Sequence, residues 1–342
     1  MPRVSLFVIC ASTALSAQTA TYTGSNVCGK CHPREFRQQS ASGHARSLYP
    51  AAEHPLAFAF LPKTALDRKP GYGFQFSLEA KKFQVHVFDA KNVLDIPIEW
   101  AFGAGEQAVT FVSRIDQSWY LEHYFTYYPA IGHMGVTPGQ HALEPKTLPA
   151  AAGLMYKALD EDTGILRCFQ CHSTGPVDTS GGAIRPAETG VHCEACHGPG
   201  TAHARTPDRK LIQNPKRMAA AELNVFCGKC HRPPAAQSTL IDWNSSWNVR
   251  HQPIYLTQSA CFRKSAGALS CFSCHQPHEA LQRDYGYYNS VCASCHASAH
   301  AEPAMTNCID CHMPRVSPQP PLRFTNHWIG IYREGAKLKP AL

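Results

Sequence analysis

The sequence predicts a mainly α and irregular fold that carries a small antiparallel β insert near residues 70–128. Three observations lead there. Fourteen of the 16 cysteines belong to seven copies of one pattern, Cys-x-x-Cys-His. The residues around six of these copies, from about 150 onward, form short apolar runs broken by proline and glycine, which number 26 and 23 in the chain. Between 70 and 128 the pattern changes to alternation of aromatic or β-branched residues with polar ones, the period of a strand with one buried face.

Composition sets the outer limits. With 44% hydrophobic residues the chain is not generically disordered. No apolar run beyond the N-terminus approaches the roughly 18 residues of a membrane span. At 342 residues it is too long for a disulfide knot, which usually stays below about 80.

In chain order, Val4 to Leu15 is an apolar stretch after Arg3 and before small residues. It reads as a signal peptide at 1–17, cleaved near Ser16 or Ala17 and taking Cys10 with it. The mature protein is then periplasmic or otherwise exported, with no transmembrane segment. Residues 18–50 form a first segment around Cys28-x-x-Cys31-His32, where Pro33 suits the first turn of a helix running to Ser47.

Residues 51–149 hold the β-rich insert and a wrap-around loop. Phe74, Phe76 and Leu78 alternate with polar neighbours, as do Phe83, Val85 and Val87, with Glu79 to Lys82 as the turn. Val109–Phe111 and Tyr120–Tyr124 flank Asp116-Gln117-Ser118 in a second hairpin. Four or so strands result. Pro129 to Pro149 is turn-rich and expected to return to the cysteine-rich part. Residues 150–342 form a second cysteine-rich domain with helices expected at 150–161 and 217–227. First cysteines there are 25, 34, 44, 21 and 16 residues apart, too irregular for a solenoid.

The seven hooks are Cys28-Cys31-His32, Cys168-Cys171-His172, Cys193-Cys196-His197, Cys227-Cys230-His231, Cys271-Cys274-His275, Cys292-Cys295-His296 and Cys308-Cys311-His312. Random placement gives about 0.04 copies. Two thiols three positions apart can add across the two vinyl groups of a haem, and the next residue then offers its imidazole to one face of the iron. Zinc sites do not require a histidine after each hook, and thiol redox sites need one dithiol rather than seven. The pattern therefore predicts seven covalently bound haem c groups, with His32, His172, His197, His231, His275, His296 and His312 as proximal ligands. Cys261 is the one mature thiol left over and reads as a buried packing residue.

Twelve histidines remain for the distal faces. His44 lies twelve residues after His32, about 18 Å away along a helix, so it serves a different haem. His278 is too close to His275 to reach the opposite face of the same ring. His203 follows a flexible Gly-Pro-Gly turn, and His327 follows the last hook. These four rank first, then His251 and His300, with His141, His123, His133 or His192 for a seventh site. Met313 reads as packing.

The formal charge of +7 lacks any basic run, and nucleic acid is excluded. Fourteen propionates offset by seven ferric cores would add roughly −7 if all ionise, which cancels it.

Gly190 to Gly200 with His203 resembles a motif of exported multihaem cytochromes of the cytochrome c-554-like kind. So do Ser42 to Ala45, Cys168 to Thr174, Cys271 to His278, and Cys308 to Pro314 with His327. The resemblance implies a multihaem cytochrome c fold organised around stacked and edge-on haems, mostly with two histidine ligands, carrying electrons in the periplasm. It supports His44, His203, His278 and His327.

Electron transfer is therefore the expected function. Partners would be redox proteins, including a membrane-bound quinol oxidase/reductase module or other cytochromes. The alternative is a haem oxidoreductase with one open site acting on a small nitrogen or sulfur oxyanion, with Arg114, His123 and Tyr124 as pocket residues.

Overall fold

A computed structural model describes residues 21–233, 241–296 and 307–341. The expected signal peptide at 1–17, Cys10 within it, and His300 lie outside the described residues.

The architecture is mixed, which corrects the expectation of a mainly α chain. The β region is larger than the 70–128 insert, with ten strands between Leu48 and Lys157: β1 (Leu48–Pro50), β2 (Leu66–Arg68), β3 (Tyr72–Glu79), β4 (Lys82–Phe88), β5 (Val93–Pro97), β6 (Trp100–Phe102), β7 (Val109–Arg114), β8 (Trp119–Tyr128), β9 (His133–Val136) and β10 (Gly153–Lys157). Strands β2 to β5 form a four-stranded antiparallel sheet in chain order. A second sheet runs β1-β6-β7-β8-β10, and β9 pairs with the remainder of β8.

Alternation explains both sheets. Phe83, Val85 and Val87 of β4 and Phe74 and Phe76 of β3 point one way and are buried. They meet Val109, Phe111, Leu121, Phe125 and Tyr127 of the six-stranded sheet in one core. The opposite face of that sheet carries a second core of Leu48, Val112 and Tyr120 packed with Phe169, Ile165 and Ile184.

The strands missed by local pattern are short and find distant partners. Residues 150–161, expected as a helix, give only α3 (Leu148–Ala152) before turning into β10. Gly153 is the cause: a Cβ there would lie 2.0 Å from the Glu122 carbonyl, so only glycine lets the chain lie against β8. The 129–149 segment meets the cysteine-rich part, where Gln319 Nε2 donates to the Val136 carbonyl at 3.1 Å, and it is tied to the sheets as well. Its strand β9 pairs with β8, and buried Arg68 donates to the Leu143, Ala150 and Ala151 carbonyls, which fastens the segment to the sheets.

The helices are short. Ahead of the sheets lie α1 (Ser25–Cys31) and α2 (Pro33–Ser40). After them come α4 (Leu166–His172), a hairpin of β11 (Ser173–Asp178) and β12 (Arg185–Thr189), then α5 (Cys193–His197) and α6 (Thr201–Arg205). The chain continues with α7 (Ala220–His231), α8 (Gln252–Gln258), α9 (Ala260–Lys264), α10 (Cys271–Cys274), α11 (Tyr285–Ala293) and α12 (Cys308–His312). A small hairpin of β13 (Arg315–Val316) and β14 (Phe324–Thr325) follows. Helix α2 starts at Pro33 as expected but stops at Ser40, and α7 overlaps the helix expected at 217–227 from Ala220 onward. Among the described residues no helix is long and apolar enough to cross a membrane.

Candidate functional site

Every hook has helical backbone at one or both of its cysteines. In a helix, residues three apart share a face, so each hook presents its two sulfurs together. The second hook is built on the large sheet. Phe169 of α4 is fully buried between Trp100 and Phe102, with ring centroids 5.4 and 5.0 Å away. His172 Nδ1 then donates to the Ser47 carbonyl at 3.1 Å. The third hook is tied to the first by Glu194, one of its two spacer residues. The Glu194 carboxylate is 2% exposed and accepts the backbone N–H groups of Thr23 (2.9 Å), Gly24 (2.7 Å) and Gly200 (2.6 Å). Sequence reasoning missed Glu194, because spacer positions of the motif carry no local signal.

The seven hook histidines all line one cavity of about 4130 Å³. That is about 590 Å³ per hook, within the roughly 300–1,000 Å³ of one ligand pocket. Hooks also touch one another. The thiols of Cys28 and Cys193 are electrostatic neighbours, as are Cys171 with Cys230, Cys227 with Cys271, and Cys292 with Cys308. Longer electrostatic contacts join Cys196 to Cys227 and Cys230, and Cys274 to Cys292. The seven hooks thus form one connected set, with the fourth as its branch point. All the described cysteines are free thiols.

Four pairs of imidazoles face each other across the cavity. His32 and His203 have ring centroids 6.3 Å apart, His231 and His44 6.0 Å, His197 and His278 6.0 Å, and His275 and His327 6.2 Å. Each pair joins one hook histidine to one histidine outside the hooks. A metal–imidazole bond is about 2.0–2.1 Å and the ring nitrogen lies roughly 1.2 Å from its centroid, so two imidazoles on opposite sides of one iron sit about 6.4 Å apart. The spacing therefore fits a six-coordinate iron between each pair. Among the described residues no three His, Cys, Asp or Glu side chains converge as zinc would require.

Hydrogen bonds aim the rings. Nδ1 of His197 donates to Gln213 O at 2.8 Å, His203 to Asp208 O at 3.0 Å, His312 to Gly330 O at 2.9 Å and His327 to Thr325 O at 3.0 Å. Each bond puts the ring proton on Nδ1 and makes Nε2 the unprotonated nitrogen, the tautomer a metal-binding histidine needs. Burial also favours the neutral ring. It pushes His231 and His327 down to about 4 and lowers His44, His172, His275 and His278 as well. Only the neutral imidazole binds metal.

Charge follows the same boundary. Among the described residues, 12 of 31 lysines and arginines line the cavity, but only four of 24 acidic residues. The other 19 described cations and 20 described anions nearly cancel, so the net positive charge of the described residues resides on the cavity wall. A cationic wall suits a cofactor whose periphery carries carboxylates. Hooks, ring pairs and charge together fit haem c.

The remaining expected residues divide. His251 lines the cavity, and burial with Arg232 and Arg250 lowers it to about 4. His192 lines it too, with a buried Nδ1 that has no hydrogen-bond partner. His133 and His141 are exposed. His123 is buried in β8 against Ser113 Oγ at 2.6 Å, Tyr124 stacks on Arg68, and Arg114 is bonded to Gly181 O. None of these last three lines the cavity, so the pocket expected from them does not form. Met313 and the leftover Cys261 both lie on the cavity wall.

The fold is that of multihaem c-type cytochromes. The family model described as cytochrome c554 and c-prime matches residues 139–198, which contain the second and third hooks. The crystal structure of the outer cell wall cytochrome OcwA is similar with a TM-score of 0.50 at 15% identity, over 90% of this chain and 79% of that one. The undecaheme cytochrome from the S-layer of Carboxydothermus ferrireducens aligns with a TM-score of 0.44 at 18% identity, over 81% of this chain. The chain spans 43% of that protein's length. No curated protein sequence matches.

Proposed function

We propose that this chain is an exported carrier of electrons with seven covalently attached haem c groups. The observation that carries the reading is the set of four hook-to-non-hook imidazole pairs at one separation, 6.0–6.3 Å. Haem c, when bound, supplies reversible one-electron chemistry at iron. The chain's own residues anchor, ligate and insulate. Each hook holds a ring edge through two thioethers and offers its histidine as proximal ligand. His44, His203, His278 and His327 supply the opposite ligand to four hooks. His251, His192 and His300 remain for the others.

An imidazole on both faces leaves no coordination position for a substrate, which favours electron transfer over catalysis. The electrostatic proximity of cysteines from different hooks supports neighbouring haems along the set. Partners would be redox proteins, such as other cytochromes or a quinol oxidase/reductase module. Two of the similar structures are described as an S-layer and an outer cell wall cytochrome, which suits export.

The test is substitution of the distal set. His44→Ala, His203→Ala, His278→Ala and His327→Ala should each convert one low-spin ferric haem to high-spin while the haem count stays the same. Low-temperature EPR reads the change. Four variants with unaltered low-spin spectra would contradict the assignment.

A further inference from the structure

The four imidazole pairs share one spacing but not one orientation. The ring planes of His32 and His203 are 17° apart, those of His197 and His278 26°, and those of His275 and His327 35°. His231 and His44 are crossed at 70°. For two rings that bind one iron along a common axis, this angle is the twist between the ligand planes about that axis.

Main-chain contacts hold both arrangements. In each near-parallel pair one ring donates from Nδ1 to a backbone carbonyl: His203 to Asp208 O at 3.0 Å, His197 to Gln213 O at 2.8 Å and His327 to Thr325 O at 3.0 Å. His44 lies in the turn between α2 and β1. Its own carbonyl accepts from Ser47 N–H at 3.2 Å and from Val191 N–H at 2.9 Å. The second bond ties the turn to the segment that leads into the third hook. A backbone pinned from two sides sets the direction from which the His44 ring meets His231.

The crossed pair belongs to the central hook. Helix α7 carries the fourth hook, and two other hooks touch that helix. The Cys171 thiol donates to the Lys229 carbonyl at 4.0 Å, and the Cys271 thiol to Asn224 Oδ1 at 3.8 Å.

Ring orientation has an electronic consequence. The π system of an imidazole raises the iron dπ orbital that overlaps it. Parallel rings raise the same orbital twice and split the dπ pair. Crossed rings raise one orbital each and leave the pair nearly degenerate. The ferric vacancy sits in the highest of these orbitals, so parallel rings stabilise ferric iron more than crossed rings do. Axial ligation is one of the protein's levers on haem potential, and here the lever is ligand orientation.

We propose that the crossed His44–His231 pair makes the haem of the fourth hook the electron-collecting node of the set, with a more positive potential than the haems of the third and fifth hooks. This rests on the ligand reading given under the proposed function. A ferrous iron on the third or fifth hook gives one electron to the ferric iron of the fourth. The first is oxidised and the second reduced, and no bond or proton moves. His44 then sets the direction of flow as well as filling a coordination position.

The experiment uses the full chain matured with its haems. Low-temperature EPR of the oxidised protein should show a strongly anisotropic low-spin signal, a single ramp at lower field than the rhombic signals of near-parallel pairs. His44→Ala should remove that ramp and leave one high-spin haem. His203→Ala, His278→Ala and His327→Ala should each remove a rhombic signal and keep the ramp. In an EPR-monitored redox titration of the wild type, the midpoint of the ramp should lie above those of the rhombic signals lost in His278→Ala and His327→Ala. Loss of a rhombic signal in His44→Ala would overturn the proposal and leave the ligand reading standing. Should a variant fail to fold, the wild type alone still decides: a spectrum with no ramp, or a ramp with a midpoint below the rhombic signals, overturns it. Four alanine variants with unaltered low-spin spectra would instead defeat the ligand reading.

Discussion

At the scale of single residues, the site depends on side chains that no motif names. Glu194 gathers three backbone N–H groups from two segments and holds the first hook against the third. Glu194→Ala leaves these buried donors unsatisfied, each at roughly 1–3 kcal/mol, and should destabilise the protein by about 3 kcal/mol or more in denaturant titration. It should also weaken the magnetic coupling between the haems of those two hooks. His123 makes a second prediction. Burial holds its ring down at about 3, against about 6.5 in an unfolded chain. The folded state therefore binds fewer protons between those values. The contribution is fully present above pH 6.5 and declines as pH falls toward 3, with about 2 kcal/mol lost at pH 5. Plotted against pH, the stability difference between wild type and His123→Gln should slope through this window; a flat difference would contradict it. The hook residues were legible in the sequence because they are neighbours in it. Glu194 was not, since Thr23 and Gly24, which it holds, lie 171 and 170 residues away along the chain.

At the scale of elements, local signals worked where the partner was also local. The β3–β4 and β7–β8 hairpins were readable because alternation and turn adjoin one another. The β3–β4 turn places Ala80 at φ 46° and Lys81 at φ 61°, left-handed values that favour asparagine and glycine. Lys81→Gly should raise the thermal midpoint, with a gain of about 0.5–1 kcal/mol, since this turn lies away from the cavity. Strand β10 shows the converse. Its Leu-Met-Tyr composition fits a helix, and only the edge of β8 decides otherwise. The distal histidines stand between these cases. His44, His203, His278 and His327 could be ranked from chain reach, but their partner hooks emerged only from packing, as with His44 and His231.

At the scale of the molecule, two kinds of interior coexist. Of the 38 buried hydrophobic residues described, 29 lie between Ala45 and Ile184, and nine lie beyond. The sheets have a conventional core, whereas the segment after residue 190 is arranged around the cavity. Chain produced without haem maturation should therefore keep slow hydrogen exchange in the strands between Leu48 and Lys157 and exchange rapidly from α5 onward. Uniform protection of both parts would show that the cavity wall is self-supporting. Charge is partitioned in the same way, with the cationic excess on the cavity wall. The central claim is that all seven hooks hold haem c at once, and intact mass under denaturing conditions, paired with a haemochrome assay, tests it most directly. The account predicts seven haems retained per chain after denaturation; six or fewer, or haem released on denaturation, would contradict it.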